Sequence, residues 1–149
     1  MTTSELLKLD NQICFPVYAA SRLITRQYQP YLDKLGITYP QYLVLLILWE
    51  EDGISVNDIT QKLILNTNTV TPLLKRMEAL GIIKRTRSKA DERVVQIGLT
   101  AKGTKMREKA ASIPMHMAGC LMPQGMQIED IIDLKEKLHR LIDFLQDKE

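Results

Sequence analysis

Cys14 stands in the run NQICFPVYAA (residues 11–20), beside Phe15 and Pro16, in a chain of 149 residues that holds one other cysteine, Cys120. A thiol can be packing, a redox group or a metal ligand, and its neighbours decide which. All five tyrosines, Tyr18, Tyr28, Tyr31, Tyr39 and Tyr42, fall within 25 residues, with Phe15 and Trp49 flanking them. Such a wall offers an apolar small molecule a pocket, and phenol hydroxyls that hydrogen-bond a thiolate favour its nucleophilic form. The same residues also read as core, because aromatics and free cysteines are commonly buried. On residue type alone, core packing is favoured. Two cysteines 106 residues apart suit neither a disulfide scaffold nor a metal site. His116 and His139 are too few and too isolated to supply metal ligands, so no cofactor or metal is expected.

A second constellation is basic. Residues 75–93, KRMEALGIIKRTRSKADER, carry seven Lys/Arg against three Asp/Glu, so a net +4 sits in a chain whose total is +2. A local patch of this kind suits a polyanion, although a solvated helix end has the same composition. Just ahead of it, NTNTVTPLLKR places Thr67, Asn68, Thr69 and Thr71 at a helix start, where short polar groups can meet base edges and phosphates. Lys75 and Arg76 follow within reach of phosphates. Arg85, Arg87, Lys89 and Arg93 crowd two β-like arms and their tip. Asp91, two residues before Arg93 on one strand face, is expected to hold that guanidinium as a bidentate pair and aim it at a minor groove. The alternative is a surface ion pair worth little.

These groups need elements to position them. Residues 5–35 have helical spacing, with Leu6, Leu9, Ile13, Val17 and Leu23 recurring, and Pro16 and Pro30 are expected to kink or break the helix. Gly36 reads as its stop. Thr38 reads as the cap of a buried helix, YPQYLVLLILWEED, closed by Gly53. Ser55 caps VNDITQKLI. Val70, Leu73, Leu74, Met77 and Leu80 form the stripe of the next helix, with Gly81 at its end. GIIKRTRS and RVVQIGL read as a hairpin across a loop of about four residues, KADE. Thr100 caps AKGTKMREKAASI, and PMHMAGCLMPQGMQ is expected to interrupt the chain. Ile131, Leu134, Leu138, Leu141 and Leu145 then space a seam for a partner helix or for the chain's own core.

Helix, tight connection, helix and basic hairpin is the order of a winged helix-turn-helix, in which the second helix enters the major groove and the hairpin tip reaches the flank. The fold class expected is mainly α with a small β-hairpin wing (α+β). The absence of an apolar leader and the shortness of the longest apolar run, YLVLLILW, point to a cytoplasmic protein without membrane partners.

LDNQICFPVYAASRLITRQYQPYLDKLGITYPQYLVLLILWEE together with TPLLKRMEALGIIKRTRSKADERVVQIGLTAKG closely resembles the MarR family of bacterial transcription regulators. The similarity is strongest to the branch that senses organic hydroperoxides (the OhrR group), through DER in the wing and the NQ-C segment followed by TYPQY. It covers nearly the whole chain, weakening after about residue 112. The resemblance implies a homodimer with intertwined terminal helices (1–36 and 101–149) and a winged lobe (37–100) in a single 149-residue domain. It implies a pseudo-palindromic double-stranded operator, and a repressor in place of an enzyme.

The resemblance also reverses the reading of Cys14, which falls on the peroxidatic cysteine of these sensors, with organic hydroperoxide as inducer. Phe15, Tyr18, Tyr28 and Tyr39 fall in its pocket, Tyr28 and Tyr39 reaching it across the dimer. Cys120 falls near the resolving cysteine of a two-cysteine subgroup; a low-molecular-weight thiol is the other resolving partner. Hydroperoxide sensors commonly carry Asp-Ser-Gly-Thr or Asp-Ser-Ala-Thr at the recognition helix, where this chain has Asn66-Thr67-Asn68-Thr69. The operator sequence therefore does not carry over. A regulator of reversible phenolic ligands and a thiol peroxidase are the competing readings; many turnovers with a reductant would mark the second.

Overall fold

The first helical stretch breaks just ahead of Cys14 and not at its prolines. In the computed structural model, which describes residues 3–148, α1 covers Thr3–Leu6, a 3-10 turn covers Leu9–Asn11, and α2 runs unbroken from Cys14 to Leu35. Side-chain amides take over the carbonyls at the break. Asn11 Nδ2 donates to the Glu5 carbonyl and Gln12 Nε2 to that of Leu6, each at 2.6 Å. This competition with the backbone ends the turn. Pro16 falls in the first turn of α2, where N–H groups lack an intrahelical partner in any case. Pro30 forfeits one bond, yet the helix passes through it. Gly36, at φ 69°, supplies the left-handed cap.

α3 (Tyr39–Glu50) starts where the Gln41 side chain accepts the Thr38 N–H at 2.9 Å. It buries Tyr42, Val44, Leu45 and Leu48. It ends before Gly53, because Asp52 forms a turn of its own. Asp52 Oδ1 accepts the N–H groups of Gly53 (2.9 Å) and Leu99 (2.8 Å). That contact draws in β1 (Ile54–Ser55), a strand too short to be legible in the sequence. β1 pairs antiparallel with β3 (Val95–Leu99), which pairs antiparallel with β2 (Ile83–Arg87), giving the order β1-β3-β2. Ile54 and Arg85 both face Ile97 in register.

α4 (Val56–Leu63) is capped reciprocally: Asp58 N–H donates to Ser55 Oγ (3.1 Å), and the Asp58 carboxylate accepts the Ser55 N–H (3.0 Å). α5 (Thr67–Ala79) is capped by Asn66, whose Oδ1 accepts the Thr69 N–H at 3.0 Å. It closes with paired bonds from Gly81 N–H to Glu78 O and from Ile82 N–H to Met77 O, a Schellman end with Gly81 at φ 69°. Val70, Leu73, Leu74 and Met77 of α5 are buried along with Ile59 of α4. α3, α4 and α5 pack on one another.

α6 (Ala101–Ala110) starts at Thr100, whose Oγ1 accepts the Gly103 N–H at 3.1 Å. Gly103 is required here, since a Cβ would stand 2.2 Å from the Ile82 carbonyl oxygen. The Trp49 indole N–H donates to the Gly103 carbonyl at 3.0 Å, tying α3 to α6. The segment expected to interrupt the chain instead forms α7 (Ile113–Cys120), and the interruption shifts to the residues around Gly125, at φ 89°. α8 covers Ile128–Gln146.

The chain forms two compact units, one ending at Ile113 and one beginning at Pro114. In the first, Leu6, Leu7, Leu9, Ile13, Val17 and Leu23 are exposed. In the second, α8 exposes Ile132, Leu134, Leu141, Phe144 and Leu145. Burying such side chains is worth about 1.5–3 kcal/mol each. No helix among the described residues is long and apolar enough to cross a membrane.

Candidate redox site and nucleic-acid interface

Cys14 is the first residue of α2 and is exposed, not packed in the core. The Asn11 and Gln12 bonds fix the chain immediately before it. Phe15 is 40% exposed. Tyr18 is exposed one turn along, with the Arg22 guanidinium 5.3 Å from its ring centroid.

Tyr28 and Tyr39 stand together elsewhere. Their ring centroids are 4.9 Å apart, and Tyr42 is 5.9 Å from Tyr28. Tyr42 meets Trp49 edge-on at 6.3 Å. Burial pushes the phenols of Tyr28, Tyr39 and Tyr42 above the ordinary 10.0, so all three remain hydrogen-bond donors well past neutral pH. At 1.5 Å of rise per residue, Cys14 and Tyr28 lie roughly 21 Å apart along α2. One chain therefore assembles Tyr28 with Tyr39 and leaves Cys14, Phe15 and Tyr18 at the opposite end. Cys120, the last residue of α7, is exposed.

The basic constellation is gathered on the first unit. Thr67, Asn68 and Thr69 are exposed on the first turn of α5, and the Asn66 side chain also accepts the Thr69 hydroxyl at 3.0 Å. Thr71 is half-buried; Lys75 and Arg76 are exposed. The wing loop spans seven residues, 88–94, in place of about four, because Ser88, Arg93 and Val94 leave the strands. Ser88 N–H bonds the Val94 carbonyl at 2.8 Å, and Val94 N–H bonds that of Asp91 at 2.9 Å.

The expected Asp91–Arg93 guanidinium pair does not form. Asp91 Oδ1 accepts the Arg93 backbone N–H at 3.0 Å, so the acid shapes the loop that carries the arginine. Arg87, Lys89 and Arg93 are exposed. Arg85 differs from them: it is half-buried, its backbone N–H donates to Glu78 Oε1 (3.1 Å), and its Nη1 lies 3.8 Å from Glu78 Oε2. Glu78 was missed by sequence reasoning, although an acid inside so basic a run was its signal. Also missed was a cleft of about 420 Å³ lined by Ser55, Asn57, Thr67, Thr71, Arg85 and Arg93 together with Val56, Val94 and Val95. Its lining comes from four separate stretches of sequence, which no local pattern connects.

The family description Transcriptional regulator SarA/Rot matches residues 26–110. The organic hydroperoxide resistance transcriptional regulator of Bacillus subtilis (strain 168) is 49% identical over 142 residues, covering 95% of each chain. Reduced AbfR bound to DNA superposes with a TM-score of 0.79 at 37% identity, over 97% of this chain and 99% of that one. AbfR, a protein of Staphylococcus epidermidis, has also been solved in a disulfide-formed state (TM-score 0.64, 38% identity, 97% and 96% covered). Among relatives so similar over nearly their whole length, this chain belongs to the MarR family of transcriptional regulators, in the branch of the organic hydroperoxide resistance regulator, and is not an enzyme.

Proposed function

We propose that the protein is a peroxide-responsive DNA-binding repressor, dimeric and cytoplasmic, whose sensor is Cys14. The observation that carries this reading is the exposed Cys14 thiol at the start of α2, just after the turn that the Asn11 and Gln12 side chains close on Glu5 and Leu6. The Cys14 thiolate attacks the distal oxygen of an organic hydroperoxide. The O–O bond breaks, the alcohol leaves after protonation, and Cys14 becomes a sulfenic acid. Condensation with a thiol then releases water and forms a disulfide. That thiol is Cys120 of the partner subunit or a low-molecular-weight thiol; the disulfide-formed state of AbfR supports the first.

A second copy of the chain accounts for the tyrosines, because α2 is too long for Tyr28 and Tyr39 to reach their own Cys14. Residues 1–36 and 101–149 form the dimerisation lobe, and their exposed apolar side chains support that division. Residues 37–100 form the winged lobe. α5 enters the major groove with Thr67, Asn68, Thr69 and Thr71, while Lys75, Arg76, Arg87, Lys89 and Arg93 meet phosphates or the minor groove. Disulfide formation breaks the tyrosine contacts and pulls the two winged lobes out of operator spacing.

The test is a gel-shift with promoter DNA from the protein's own genomic neighbourhood, with and without cumene hydroperoxide. Binding in the reduced state and release on oxidation support the reading; binding that ignores peroxide contradicts it.

A further inference from the structure

A second cleft, of about 410 Å³, lies between the end of α2 and one face of α6. Four lysines surround it: Lys34 from α2, and Lys102, Lys105 and Lys109 along a single stripe of α6. Leu35, Ala101 and Met106 complete the lining, and Met106 is only 6% exposed. No carboxylate lines the cleft. Asp33, beside Lys34 in the chain, accepts a hydrogen bond from the Gln29 side chain instead. Among the described residues, none of the four lysines makes an ion pair. Lys102 Nζ donates to the Leu80 carbonyl at 2.8 Å, and Lys34 Nζ stands 5.9 Å from the Tyr31 ring centroid.

For the chain alone this arrangement is unfavourable. Like charges three and four residues apart on a helix repel, and Lys102 adds a cation to the positive end of α6, whose first turn holds no acid. An anion seated among the lysines relieves both. The volume falls within the roughly 300–1,000 Å³ of small-molecule sites. Its chemistry is divided between a cationic rim and an apolar floor. Ammonium groups are point charges with rotatable donors, suited to phosphate oxygens. A phosphate monoester brings about −1.5 to −2 charge and three acceptor oxygens. A bare inorganic anion would leave Leu35 and Met106 uncovered.

We infer that this cleft is a binding site for a small organic anion with a dianionic head, such as a phosphate monoester, on an apolar body. The head lies among Lys34, Lys105 and Lys109, and the body lies on Leu35 and Met106. The site stands apart from the redox group of its own chain, because Cys14 begins α2 roughly 31 Å along the axis from Leu35. The inference therefore does not depend on the peroxide reading. An occupant bridges α2 and α6 without any oxidation.

The experiment titrates phenyl phosphate into the reduced full-length protein with isotope-labelled methionine methyls. A saturable shift of the Met106 methyl resonance is expected, with Met115, exposed in the other unit, unmoved. Phenyl phosphate should bind roughly tenfold more tightly than benzoate, which accepts fewer charge-assisted bonds. It should also bind more tightly than inorganic phosphate, which leaves the floor bare. Lys105→Ala and Lys109→Ala should each lose roughly tenfold in affinity for phenyl phosphate. Lys62→Ala, at an exposed lysine outside the cleft, should lose nothing. Thermal unfolding checks that each variant folds. An unmoved Met106, equal affinity for the three anions, or an equal loss in Lys62→Ala would each overturn the site. Displacement of phenyl phosphate by operator duplex, with weakened duplex binding in Lys105→Ala and Lys109→Ala, would overturn it in favour of a nucleic-acid contact.

Discussion

The rings of Tyr28 and Tyr39 lie 4.9 Å apart at a tilt of 54°, while Cys14 begins the helix that carries Tyr28, roughly 21 Å away along its axis. Their phenols are neutral hydrogen-bond donors at ordinary pH, and Cys14 of the same chain lies out of their reach. Tyr28→Phe and Tyr39→Phe are therefore expected to leave operator binding intact in reducing conditions yet slow the alkylation and oxidation of Cys14. Rates of iodoacetamide labelling at fixed pH measure this. Equal rates in all three proteins would make the tyrosines packing alone.

Alkaline pH probes the same cluster. A phenol whose folded value is raised favours folding in its neutral form, and that contribution is full below the unfolded value near 10. It is lost as pH rises through the folded value. Wild-type stability should thus fall above pH 10, and Tyr42→Phe should fall less steeply there. Urea midpoints at pH 9 and 11 give the comparison; parallel curves would contradict it.

Arg93→Ala is expected to weaken operator binding at least tenfold and to lower its salt dependence, through loss of a cation at the wing. Asp91→Ala should weaken it less. The bond that Asp91 makes is to the Arg93 backbone N–H, so its loss loosens the loop without removing the charge. Fluorescence anisotropy across a salt series separates the two, and equal effects would mean that Asp91 does more than shape the loop.

Asn66→Ala should cost about 1 kcal/mol of folding stability by removing the cap of α5, whereas Asn66→Asp keeps the acceptor for the Thr69 N–H and should be nearly neutral. Denaturant titration decides, and an unchanged midpoint in Asn66→Ala would show the cap to be dispensable. Gly103→Ala is expected to be worse, by about 1–3 kcal/mol, since its Cβ meets a backbone carbonyl that cannot rotate away.

Caps and stripes were legible in the sequence because they are local. Thr38, Ser55, Gly36 and Gly81 end or begin helices where their chemistry says they should, and the α5 stripe from Val70 to Met77 is the buried face. Pro16 and Pro30 misled, because proline is harmless in a first turn and one lost bond does not break a helix of 22 residues. β1 was invisible: two residues pair only because Asp52 brings them to β3. The Asp91–Arg93 pair was misread because two residues at strand spacing were in fact in a loop. The Glu78–Arg85 contact and the cleft depend on tertiary packing, which no single stretch encodes.

The most direct test of the account is operator release by Cys14→Ser. Serine keeps the size of the side chain, while its hydroxyl neither ionises near neutral pH nor reduces a peroxide. The variant is expected to bind the operator as wild type does and to remain bound after organic hydroperoxide. Wild type should let go and run as a disulfide-linked dimer on a non-reducing gel, with Cys120→Ser running as a monomer. A Cys14→Ser protein that still releases DNA with peroxide would contradict the account and place the sensor elsewhere.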